Sequence, residues 1–425
     1  MLLQDLYAIY KQHNRIQTDT RKLKQGDLFF ALKGPNYNGN LFAQQALQTG
    51  AAYVVVDEPT NFTSDKIIQT PNVLATLQAL AKYHRQQLSI PFLAITGSNG
   101  KTTTKELLHQ VLSTTYTTYT TVGNLNNHIG VPLTILSVKP DAEMAIIEMG
   151  ANHQKEIESY CSYTLPTHGV ITNCGKAHIE GFGGEAGVKK GKGELYHFIK
   201  ENKGTIFLMN DYDYLKTMSQ GIEHIITYGT NHADYTGIAM KNELLAVTIT
   251  KGLEQPATIH TQLVGNYNLP NVLVAVAVGK YFKVPDDKII SALQNYTPSN
   301  SRSQLLHKGT NKIILDAYNA NPTSMKAAIE NMAQLTSNKK IILLGGMMEM
   351  GADSIAEHAA LVHLISQYTW HAVVLVGGDF KHIPHPFTYY NTSTEAHHWL
   401  ALQQFENATI LIKGSRSMQM EKVLG

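Results

Sequence analysis

AITGSNGKTTTK, residues 94–105, closes the apolar run that starts at Phe92 and opens a helical pattern. A strand that runs through a glycine-bearing turn into a helix builds a phosphate cradle. Backbone N–H groups and the positive end of the helix face an anion, a lysine reaches the outer phosphates, and a hydroxyl can ligate Mg²⁺. Gly97, Ser98, Asn99, Gly100, Lys101, Thr102 and Thr103 are the expected cradle, and ATP the expected ligand. The loop is short: the general phosphate-loop pattern needs a glycine where Ile95 stands, and the first glycine here is Gly97. A chance glycine-rich turn is the alternative, set against the ordered run of strand, loop, Lys-Thr and helix.

A chain of 425 residues with 43% hydrophobic content fits about three domains, each able to bury a core. The net charge of +2 gives no electrostatic case for nucleic acid or an acidic membrane surface. Two cysteines, Cys161 and Cys174, are too few for a disulfide framework and form no CxxC pair, so both are expected to be reduced thiols. MLLQDLYAIYKQHNR lacks a basic start followed by a long apolar stretch, and no apolar run approaches the roughly eighteen residues of a membrane span. A cytoplasmic protein is expected.

The fold class expected is α/β in three domains. Residues 1–85 form a small substrate domain with strands near 27–32 and 52–56, a helical stretch at 42–47, and the turn KGPNYNGN (33–40), around which Thr20, Arg21, Lys33, Asn38 and Asn40 gather. Polar turn residues beside a core would look the same. Residues 86–297 form a central ATP-binding domain: strands at 92–96, 145–148 and 169–172 alternate with helices, which implies a parallel sheet. Strands near 225–228, 245–250 and 258–263 are expected to extend it antiparallel. Residues 298–425 form a Rossmann-like domain with strands at 313–316, 340–344, 372–376 and 409–412.

Phosphoryl transfer needs charge neutralisation beside the phosphates. Glu148 ends an apolar strand, where ligands of open sheets collect, and with Thr102 it offers the oxygen donors Mg²⁺ prefers. His178 follows the strand GVITN in the loop NCGKAHIEGFG, a place where a histidine taken alone is more often a hydrogen-bonded loop residue than a ligand. Lys192 lies in GVKKGKGELY, where spacing does not select it over Lys189 or Lys190.

TGSNGKTTTKE (96–106) resembles the ATP-dependent Mur ligase superfamily, folylpolyglutamate synthases included, better than it resembles kinases or GTPases. Further blocks are similar to the Mur ligase family in the family's order: TDTRKLKQGDLFFALKG (18–34), GNLNNHIGVPLTIL (123–136), IIEMGANHQKEI (146–157), AHIEGFG (177–183), KGKGELY (190–196), LVGNYNLPNVLVAVAVG (263–279), DAYNANPTSM (316–325) and KGSRSMQME (413–421). The first block argues against a folylpolyglutamate-type ligase, which lacks it. A non-catalytic ATP-binding regulator with the same fold is the other rival.

The resemblance implies an ATP-dependent amide ligase that joins D-alanyl-D-alanine to UDP-N-acetylmuramoyl-tripeptide through an acyl phosphate, in peptidoglycan precursor synthesis. It implies a monomer without nucleic-acid or membrane partners. Carried over, it makes Thr102, Glu148 and His178 ligands in a site for two Mg²⁺ ions, and Lys192 a carbamylated lysine that supplies anionic oxygen there. Asn124 and Asn127 would lie near ATP or metal, Asn271 would contact adenine, Arg302 would reach the γ-phosphate across a domain gap, and Asp316 would bind the ribose. Catalysis would fall to Lys101, Glu148, Lys192 and Arg302. Thr20, Arg21, Asn38 and Asn40 would serve the UDP end; Tyr318, Asn319, Asn321, Lys413, Ser415 and Arg416 would line the cleft for the dipeptide or acyl phosphate. One block departs: where the family has LGDM followed by ELG, this chain has LLGGMMEMG (343–351), with Gly346 in the aspartate's place and Glu349 as the remaining acid.

Overall fold

The computed structural model describes residues 2–299 and 301–425. Its centre is a nine-stranded sheet in the spatial order 257–264, 244–251, 235–240, 224–229, 205–209, 168–171, 92–96, 144–148, 118–120. Phe92–Thr96 and Met144–Glu148 are buried along their whole length, which is why their sequences are continuously apolar rather than alternating. After Phe92–Thr96 the chain builds outward on one side through 118–120 and 144–148, then crosses to the other side at His168–Ile171. That reversal opens a crevice at the carboxyl ends of the central strands.

The antiparallel extension starts later than the sequence reading has it. His224–Gly229 pairs parallel with Thr205–Met209 and with Tyr235–Met240; only 235–240, 244–251 and 257–264 run antiparallel to one another. The helix Asp213–Met218 accounts for the first of these parallel pairings, because a helical crossover returns the chain in the same direction.

A four-stranded parallel sheet, ordered 16–17, 28–30, 53–56, 67–69, forms the first unit. The last unit is a six-stranded sheet ordered 304–308, 311–316, 409–413, 340–345, 372–376, 388–390, parallel except for its first hairpin. The helix Val73–Gln86 presents Val73, Leu77, Leu80 and Ala81 to a core continuous from Leu28 and Phe30 of the first sheet to Phe92 and Ile146 of the second. The last unit has a core on each face of its sheet: one, with Ile313, Leu343 and Ile412, is its own, and the other, with Ile314, Ile342 and Leu411, also takes in Ile179 and Val264 of the central unit.

Candidate active site

The phosphate loop spans Gly97 to Gly100, between Phe92–Thr96 and the helix Lys101–Leu112. Two positions demand glycine. Gly97 has φ +148° and a Cβ there would meet the Thr172 hydroxyl at 1.9 Å; Gly100 has φ +81° and a Cβ would meet the Asn271 amide oxygen at 2.7 Å. The loop is pinned from the neighbouring strand end: Asn173 Oδ1 accepts from the Asn99 N–H at 3.0 Å, and the Asn99 carbonyl accepts from Thr172 Oγ1 at 2.6 Å and Asn173 Nδ2 at 3.0 Å.

Lys101 Nζ donates to the Gly97 carbonyl at 2.7 Å, folded back over the loop. Burial pushes its pKa below the ordinary lysine value; Glu148 opposes that shift and the Arg302 charge adds to it. Thr102 Oγ1 bonds the Glu148 carboxylate at 3.0 and 3.1 Å, and Asn126 Nδ2 donates to the same carboxylate at 2.8 Å. Asn126 is the residue the sequence reading missed. Of its neighbours in the loop GNLNNHIG, Asn124 is exposed and off the cleft, whereas Asn127 lines the cleft and turns its side-chain carbonyl onto the N–H groups of Ile129 and Gly130. Three asparagines in four positions give no signal to choose by; only the path of the loop does.

Asn271 is buried against the start of this helix, accepting from Thr104 Oγ1 at 3.1 Å and donating to Asn268 Oδ1 at 2.9 Å. Geometry also separates the lysines that spacing could not. Lys190 is exposed and Lys189 half-buried over the Tyr214 ring, whereas Lys192 is fully buried with no hydrogen-bond partner, its Nζ 5.0 Å from the centre of the Phe182 ring. Burial, helped by the Lys101 charge, lowers its pKa to about 7. His178 Nδ1 lies against a carboxylate oxygen of Glu349 without hydrogen-bonding alignment, and the imidazole holds the Glu349 carboxyl below its usual range. Thr102 and Glu148 are therefore brought together, His178 is engaged elsewhere, and Lys192 stands apart. Among the described residues no three His, Cys, Asp or Glu side chains converge on a metal-sized site.

The last unit closes the crevice into a cleft of about 1000 Å³, lined by the phosphate loop, Glu148 and His178 on one side and Arg302, Asp316, Tyr318, Asn319, Asn321 and Lys413 on the other. The Arg302 guanidinium stacks 3.4 Å from the Tyr318 ring centre. Asp316 takes the Lys413 ammonium at 2.6 Å and the Ser303 N–H at 3.0 Å, and Lys413 also donates to the Asn319 carbonyl at 3.1 Å. Asn99 and Asn321 exchange amide hydrogen bonds across the cleft, 2.7 Å from Asn321 Nδ2 to Asn99 Oδ1 and 3.4 Å in return.

Other expected residues are not on the cleft wall. Ser415 is buried, taking the Met348 N–H at 3.1 Å, and Arg416 turns outward to Glu421 at 2.7 Å. In the first unit Arg21, next to Thr20, pairs with Asp19 on the surface. Asn40 bridges Asn38 and Asp57, while Asn38 donates to Glu58 at 2.8 Å, so these amides brace the turn. Gly346 has a packing reason: a Cβ there would meet the Gly378 Cα at 2.5 Å, so the aspartate of the family pattern has no room.

Three sequence families match: the Mur ligase family catalytic domain at 13–93, the Mur ligase middle domain at 95–279, and the Mur ligase glutamate ligase domain at 301–416. The UDP-N-acetylmuramoyl-tripeptide–D-alanyl-D-alanine ligase of Bacillus subtilis is 35% identical over 428 residues, covering 96% of this chain and 92% of that protein. The chain belongs to the Mur ligase family. Among solved structures, this Mur ligase resembles MurF from Acinetobacter baumannii, with 29% identity, a TM-score of 0.88, and coverage of 96% of this chain and 92% of the other. It also resembles the MurF ligase from Thermotoga maritima in complex with ADP, with 25% identity, a TM-score of 0.88, and coverage of 97% and 96%. Among the described residues of this Mur ligase, no helix is long and apolar enough to cross a membrane.

Proposed function

We propose that this Mur ligase joins D-alanyl-D-alanine to UDP-N-acetylmuramoyl-tripeptide at the expense of ATP, in the cytoplasmic assembly of the peptidoglycan precursor. The observation that carries the reading is the cleft in which the phosphate loop and the last unit face each other. Two reactants bound to different units must meet there, and a closed cleft keeps water from an acyl phosphate. The tripeptide carboxylate attacks the γ-phosphorus of ATP and ADP leaves; the dipeptide amine then attacks the acyl carbon and phosphate leaves. Lys101 and Arg302 neutralise the charge that builds in the first transfer. Arg302, held flat on Tyr318, meets phosphate oxygens with a rigid fork.

The donor chemistry suits the expected metal and modification. The Thr102 hydroxyl and Glu148 carboxylate are hard oxygen donors already in contact, and would hold one Mg²⁺. A buried amine without a partner, with a pKa near 7, has the neutral form that CO₂ takes up, so Lys192 suits carbamylation. With His178 released from Glu349, that carbamate would serve a second ion. Magnesium, when bound, supplies charge neutralisation at the phosphates. The rest of the assignment follows the three segments 1–85, 86–297 and 298–425: the UDP end on the first, with Thr20, Arg21, Asn38 and Asn40; adenine and ribose by Asn271 and Asp316; the dipeptide by Tyr318, Asn319, Asn321 and Lys413, which line the cleft. The protein acts as a monomer.

Phosphate release with the UDP-muramoyl-tripeptide is the test, comparing D-alanyl-D-alanine, D-alanyl-D-lactate and L-glutamate. Release with the dipeptide alone is expected. Release only with L-glutamate, or none with any amine while ATP binds, overturns the reading.

A further inference from the structure

We infer that the Asn99–Asn321 amide pair is a positioning contact, which transmits the seating of the last unit directly to the phosphate loop; the inference rests on the ligase reading above. Asn321 has two jobs, and its amide nitrogen serves only one of them, the amide oxygen taking a longer 3.4 Å bond from Asn99 Nδ2 besides the cap. Its Oδ1 caps the helix Pro322–Gln334 by accepting the Ser324 N–H at 2.9 Å. A serine or aspartate would cap that helix as well. The amide nitrogen is superfluous to the cap, and it is the atom that reaches Asn99 Oδ1 at 2.7 Å.

On the other side, Asn99 is the loop residue least able to drift. Three hydrogen bonds to Thr172 and Asn173 fix both its N–H and its carbonyl, so a pull on its side chain is felt by the backbone between Gly97 and Lys101. The same helical turn has a second anchorage: Thr323 Oγ1 accepts the Lys176 N–H at 3.0 Å. The two anchor points lie in the loops that follow two adjacent parallel strands, Phe92–Thr96 and His168–Ile171. The first turn of Pro322–Gln334 thus straddles the carboxyl edge of the sheet. That placement holds Arg302 and Lys413 opposite Lys101 across the cleft.

The contact is tested with Asn99→Ala, Asn321→Ser and the double variant of the full chain. Serine keeps the cap but is too short to reach across. Two residues acting through one contact are non-additive. Each single change is expected to lower kcat about tenfold with KM for ATP within about twofold, and the double to be no worse than the poorer single. Small-angle scattering with a non-hydrolysable ATP analogue should show a larger radius of gyration in all three variants than in the parent chain. Losses that multiply, a loss confined to KM for ATP, or an unchanged radius overturns the inference. If the parent chain releases no phosphate with any amine, the ligase reading fails, while the scattering comparison still decides the contact.

Discussion

The Thr102 hydroxyl sits 3.0 and 3.1 Å from the two carboxylate oxygens of Glu148, joining the first turn of the phosphate-loop helix to the end of the next strand. Asn126 completes this carboxylate's environment from a third element at 2.8 Å. Asn126→Ala removes a donor that orients Glu148, so the Mg²⁺ concentration giving half-maximal phosphate release should rise about tenfold, with saturated turnover falling less. A magnesium titration of the variant checks this; an unchanged titration would remove Asn126 from the site.

Lys101→Ala should leave circular dichroism unchanged and reduce turnover by more than roughly a hundredfold, on the order of 3 kcal/mol of transition-state stabilisation. Near-normal turnover would exclude Lys101 from phosphoryl transfer.

Arg302→Lys keeps the charge and loses the planar stack on Tyr318. Turnover should fall while ATP affinity measured calorimetrically without the other substrates stays close to that of the parent chain. Parallel losses in both would make Arg302 a simple nucleotide contact.

For Lys192 the sign of the pH effect follows from burial. Only the neutral amine takes up CO₂, so carbamate occupancy should rise as pH climbs through about 7 and fall below it. Carbon-13 NMR with labelled CO₂ reads the occupancy directly, and a signal surviving in Lys192→Ala would sink the assignment. Acetate should partly restore turnover to that variant and have no such effect on Lys189→Ala or Lys190→Ala. The unmodified chain should also gain stability from about pH 7 upward toward the ordinary lysine value of 10.5, because in that window only the unfolded state keeps the proton.

What the sequence made legible was local. The run from Phe92 through Lys101 names a strand, a turn and a helix because each step is fixed by neighbours in the chain, and Glu148 is marked by the end of an apolar run. The direction of His224–Gly229 was not legible, because it depends on whether a short helix intervenes. Asn126 and Lys192 share a second kind of obscurity. Each stands among residues of its own type, and only the folded chain distinguishes it, Asn126 by its bond to Glu148 and Lys192 by its burial. The glycine at 346, where the family pattern has aspartate, has a steric reason in its close approach to Gly378, visible only once two distant loops meet.

The helix Val73–Gln86 belongs to two sheets at once, and this has a consequence for how the chain comes off the ribosome. A nascent chain ending near residue 86 would present Val73, Leu77 and Leu80 with half their packing absent, so the first unit should remain protease-sensitive until the strands at 92–96 and 144–148 have emerged. The last unit shares one core with Ile179 and Val264 of the central unit, so that face should set only once the central unit stands as a finished platform.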